Sequence, residues 1–83
     1  MTLLGLQRAK EALQAADQGL LLDGADPDLH RARGWALQEL ERYEEALAAY
    51  EEALRLDPDY LQARLRKARL QATAEVDSER RER

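Results

Sequence analysis

The chain has no cysteine, phenylalanine, isoleucine or asparagine, and its aromatic side chains are three tyrosines and one tryptophan. Without cysteine there is no disulfide, no thiolate nucleophile and no cysteine-based metal site. A reducing cytoplasm fits that composition, and a cytoplasmic location is expected. Nucleophiles are scarce: one histidine (His30), one serine (Ser78) and two threonines, none with a base nearby in sequence. The four glycines are scattered and form no phosphate loop. No enzyme activity, cofactor or metal is therefore expected. Paired carboxylates such as Glu44/Glu45 and Glu51/Glu52 are helix neighbours that point in different directions and read as a solvated face. No apolar run reaches the ~18 residues a membrane-spanning helix needs. No basic stretch precedes the first apolar residues, so neither membrane insertion nor a signal peptide is expected. A net charge of −4 argues against general nucleic-acid binding.

What the chain does have is leucine (16), alanine (15) and 36% charged residues, the composition of a helical protein. Its core must be built from Leu and Ala with a few rings. Eighty-three residues make one small domain, and such a chain buries only about 60–65% of its unfolded surface. The expected domain spans residues 1–76, with 77–83 as a charged tail lacking apolar residues.

A repeat runs through it. Slid by 34 residues, Ala9–Asp23 falls on Tyr43–Asp57 with seven identities in fifteen positions: Glu11/Glu45, Ala12/Ala46, Leu13/Leu47, Ala15/Ala49, Leu20/Leu54, Leu22/Leu56 and Asp23/Asp57. Chance in so Leu- and Ala-rich a chain would give roughly two. Units of this size cannot bury an apolar face alone and stack on their neighbours.

Helical spacing predicts four helices, at about 2–22, 27–40, 43–56 and 60–76. The first carries Leu3, Leu6, Ala9, Leu13, Ala16 and Leu20 on one face. Thr2 is the expected cap at its start, and Gly24 in a left-handed conformation the expected close. Gly5 is its weak point, costing about 1 kcal/mol against Ala. Asp26 and Pro27 are a good N-cap and first residue for the second helix, which lines up Leu29, Ala32, Ala36, Leu37 and Leu40. Gly34 inside it makes sense if another backbone comes close. The third helix should bury Ala46, Leu47, Tyr50, Ala53 and Leu54, with Glu51 and Arg55 paired on its surface. In the fourth, Leu61, Leu65, Ala68 and Ala72 form the expected packing stripe. Arg64, Lys67 and Gln71 on its other side suggest a capping helix facing water.

The stretch from Pro27 to Tyr60 resembles a tetratricopeptide repeat. The family's small residue is Gly34, its turn aromatic Tyr43, and its second-helix pattern Ala46, Tyr50, Ala53 and Pro58. The chain departs from the pattern at His30 and Arg33, where apolar residues are usual, and at Glu41-Arg42 in place of Gly-Asp. One full repeat and two partial ones are covered. The resemblance implies an all-α antiparallel array of helix-turn-helix units, a superhelix fragment without catalysis.

It also implies a concave groove, lined by the first helices of successive repeats, that holds a partner's peptide or helix. Carried onto this chain, the groove residues are Arg31, Trp35 and Gln38 on the second helix and Gln62, Arg66 and Arg69 on the fourth. Three arginines around a tryptophan suit an acidic or C-terminal peptide. Trp35 either looks into this groove or folds into the gap that Gly34 leaves. The basic run Arg64–Arg69 either contacts the ligand or is a solvated face. Chaperone-binding members clamp a carboxylate with Lys, Asn and Arg from three repeats, and that clamp is not carried over to a chain without asparagine. The alternative function is self-association, a homodimer formed through an uncovered flank of the N-terminal helix.

Overall fold

The computed structural model describes residues 3–81, with side chains from Gly5 to Thr73. Its elements are α1 (Leu3–Leu22), α2 (Pro27–Glu39), α3 (Tyr43–Leu56) and α4 (Leu61–Arg81). No strand occurs among the described residues, and the fold is an all-α array of antiparallel helices. Each helix packs on the next in the chain: α1 on α2, α2 on α3, α3 on α4. No helix among the described residues is long and apolar enough to cross a membrane.

Local chemistry sets the helix ends. The Asp26 carboxylate accepts a hydrogen bond from the Asp28 amide at 2.9 Å, and Pro27 opens α2 with its φ already helical. At the other end Glu41 takes a left-handed φ of 62°. The Arg42 amide then donates to the Leu37 carbonyl at 2.9 Å, and the Glu41 amide to Gln38 at 3.0 Å. That is a Schellman closure with glutamate where glycine is favoured. The α1–α2 linker closes differently from the expectation, because no glycine among the described residues has positive φ. The Asp23 carboxylate instead accepts from the Ala25 amide at 3.1 Å, and the His30 ring hydrogen-bonds the Gly24 carbonyl at 2.9 Å. Side-chain bonds thus turn the chain without a left-handed glycine. Thr2 lies outside the described residues. Helix α4 continues to Arg81, because nothing after Tyr60 is Gly or Pro to stop it.

The core joins Leu37 of α2, Ala46, Ala49 and Tyr50 of α3, and Leu70 of α4, with Leu13, Tyr43 and Leu47 packed against it. Ala53 is also fully buried, while Leu47 and Leu54 are half-buried. The space above Gly34 belongs to a ring and not to a backbone. A Cβ there would sit 2.7 Å from Cε1 of Tyr50. Glycine is required because Tyr50, fully buried, lies flat against the α2 backbone.

Two surface expectations are corrected. Arg55 pairs with Glu52, one turn back at i−3, while Glu51 lies 3.7 Å from Lys67 of α4. The neighbouring helix offers Glu51 a cation that the spacing along α3 does not reveal. In α4 the packing stripe is the other one. Ala63 and Leu70 are buried, with Arg66 and Lys67 half-buried between them. Leu61, Leu65, Ala68 and Ala72 all face away from the core. The long aliphatic stems of Arg and Lys let a basic face lie against α3 while their charges reach water.

Candidate functional site

Helices α2 and α4 are linked through tyrosines. At the end of the array where α2 and α4 begin, Arg31 Nε donates to the Tyr60 hydroxyl at 2.6 Å, and that hydroxyl donates to the Asp28 carboxylate. The Arg31 guanidinium also lies over the Tyr60 ring, 5.9 Å from its centroid. Further along, the Tyr50 hydroxyl donates to Gln38 Oε1 at 3.1 Å, and the positive charge of Arg66 on α4 acts on the same phenol. Tyr50 therefore reaches from the core, across Gly34, to a point where α2 and α4 side chains meet.

Burial shifts both phenols. Tyr50 is pushed above its ordinary value by loss of water, against the pull of Arg66 and Arg31. Tyr60 is also raised, first by desolvation and then by the hydrogen bond it gives Asp28, with Arg31 opposing. Both hydroxyls are neutral near pH 7 and able to donate and accept together.

Gln62, Leu65, Arg66 and Arg69 line one shallow depression of about 330 Å³ on α4. Arg31, Trp35 and Gln38 fall at i, i+4 and i+7 on one stripe of α2, all half-buried. The gap over Gly34 is filled by Tyr50, so Trp35 does not occupy it. Neither Arg66 nor Arg69 pairs with a carboxylate among the described residues, whereas Arg33, Arg42, Arg55 and Lys67 each do. Tyr60 is the member of this arrangement that sequence reasoning passed over. The signal for it was its place directly after Asp57-Pro58-Asp59, at the mouth of α4 and one repeat on from Asp26.

His30 is tied to the linker and takes no part in this face. Among the described residues no three His, Cys, Asp or Glu side chains converge in a way that suits a metal ion. A second hollow, at the end of the array, is lined by Pro27, Asp28, Asp57, Asp59, Tyr60, Leu61 and Gln62. The carboxylates of Asp57 and Asp28 there are already used, by the Asp59 amide and by Tyr60.

Comparison with protein families gives a match to the tetratricopeptide repeat over residues 27–60, which covers α2, α3 and the turn into α4. Repeats of this family generally mediate protein–protein interaction and are not catalytic. No curated protein matches the chain. Over residues 27–60 the hairpin α2–α3, with Gly34 beneath Tyr50 and Pro58 after it, is thus similar to a tetratricopeptide repeat.

Proposed function

We propose that the chain is a non-catalytic binding module that holds an extended acidic segment of a partner protein between α2 and α4. The observation that carries this reading is the pair Arg66 and Arg69, two cations without carboxylate partners among the described residues, beside the exposed Leu65 in one depression. Gln62 and Gln38 add amide donors on either side, and Trp35 and Arg31 supply an aromatic and a third cation on α2. Guanidinium forks suit side-chain or C-terminal carboxylates, while Leu65 suits an apolar neighbour in the same peptide. The cysteine-free composition suits work in the cytoplasm.

Calorimetric titration with a free-acid octapeptide of alternating Glu and Leu tests it, with the Lys–Leu peptide as control. The acidic peptide should bind and weaken as salt is raised, and the basic one should not bind. Arg69→Glu should weaken binding by tenfold or more, equal to about 1.4 kcal/mol. Equal affinity in wild type, Trp35→Ala and Arg69→Glu would remove the groove assignment.

A further inference from the structure

Arg31 sits three residues after Asp28 on α2, a spacing at which acid and base side chains meet on a helix. The two form no ion pair with each other, although Arg33, Arg42, Arg55 and Lys67 each pair with an acid. The Tyr60 hydroxyl stands between them. It accepts from Arg31 Nε at 2.6 Å and donates to the Asp28 carboxylate. A phenol can do both at once, having one proton to give and lone pairs to receive another.

The bond to Tyr60 uses Nε alone. It leaves the terminal nitrogens Nη1 and Nη2 of Arg31 without a hydrogen bond among the described residues. Those two make the end-on fork with which a guanidinium grips a carboxylate. Arg31 also faces the rest of the groove. Its charge and that of Arg66 both act on the Tyr50 phenol. Gln62 lines both the hollow that holds Asp28 and Tyr60 and the depression of Arg66 and Arg69.

We propose that Tyr60 is a positioning residue for ligand recognition: its hydroxyl keeps Arg31 from closing onto Asp28 and leaves the Nη fork open to a carboxylate of the bound segment. This rests on the reading of the space between α2 and α4 as a site for an acidic partner. Without the hydroxyl, Asp28 pairs with Arg31 in the place of the ligand, and the groove loses one of its three cations.

Calorimetric titration of the full chain with the free-acid Glu–Leu octapeptide tests it. Arg31→Ala should weaken binding by about tenfold. Tyr60→Phe keeps the ring and should keep the helical circular dichroism, yet weaken binding by about threefold or more. Asp28→Asn should change wild-type affinity by less than about twofold, because an exposed charge at a rim matters little. In the Tyr60→Phe background the same change should restore most of the lost affinity, because the competing carboxylate is gone. Asp59→Asn removes an acid from the same hollow and should restore nothing. A loosened fold or a general change of charge would not give that pattern. If wild type does not bind the peptide, the groove reading falls and this proposal with it. If wild type binds and Arg31→Ala weakens it while Tyr60→Phe does not, the groove stands and the role of Tyr60 is refuted. The role is equally refuted if Arg31→Ala binds as wild type does, or if Asp28→Asn rescues Tyr60→Phe no better than Asp59→Asn.

Discussion

Replacing Glu41 by glycine should stabilise this protein. Glu41 closes α2 at φ 62°, the left-handed region where a Cβ crowds the following carbonyl. That conformation costs an L-residue roughly 1–2 kcal/mol. Glycine removes the cost but loses more chain freedom on folding, about 0.5–1 kcal/mol. The glutamate is exposed and makes no ion pair among the described residues, so little else changes. The difference leaves a gain of about 0.5–1 kcal/mol. For a domain of this size that raises the melting temperature by about 2–8 °C. Thermal melts by circular dichroism, with urea titration beside them, give the readout. Glu41→Ala keeps the Cβ and serves as control, and Glu41→Asn should fall between alanine and glycine because asparagine tolerates this region. Glycine no more stable than alanine would refute the argument. It would mean that the two Schellman bonds, from Arg42 to Leu37 and from Glu41 to Gln38, do not hold the backbone there in solution.

Two further predictions follow from packing and ionisation. Gly34→Ala should destabilise by up to about 2 kcal/mol, since overpacking costs about 1–3 kcal/mol and better helix propensity returns up to about 1. Gly19→Ala meets only the branched end of the half-buried Leu29 side chain, Cδ1 at 2.9 Å and Cδ2 at 3.1 Å, which can shift more readily than the buried Tyr50 ring, so it should cost less than Gly34→Ala; equal losses at both sites in urea titrations would contradict this contrast. Tyr50 has its pKa raised on folding, so the folded state holds the phenol proton more tightly than the unfolded chain. Stability should be flat below pH 10, the unfolded value, and fall as pH rises through the higher folded value, with Tyr60 adding the same sign. Tyr50→Phe should flatten part of that alkaline decline, as followed by melts between pH 8 and about 11.5.

The period of 34 residues and the Pro27–Tyr60 pattern carried the helix order and the stacking, because buried Ala and Leu must recur wherever one hairpin meets the next. Asp26 and Pro27 announced the start of α2 by chemistry that acts within three residues. The turn at Glu41-Arg42 was placed by the family resemblance, but its left-handed backbone was not legible, since nothing in glutamate signals that conformation and the tertiary packing of α2 on α3 imposes it. Gly34 was legible as a close approach, but not that a ring from sixteen residues away makes it. Helix α4 misled for a physical reason. It carries two stripes, and the one with more leucine is outside, while the core accepts Ala63 and Leu70 between half-buried basic side chains. The site residues on α2 and α4 came from family resemblance. The tyrosine bridges that join those helices came only from coordinates, because Arg31 and Tyr60 are separated by 29 residues.

The neighbour-only packing of the helices also governs how the molecule comes apart. Most of the helix packing joins sequence neighbours across one turn of chain, so little loop entropy opposes forming it and the hairpins can assemble quickly. Helices α1 and α4 are each held from one side, whereas α2 and α3 are held from two. Amide exchange should therefore be slowest around Leu37 and Tyr50 and fastest toward both termini, so that the chain frays inward from its ends before the central hairpin yields.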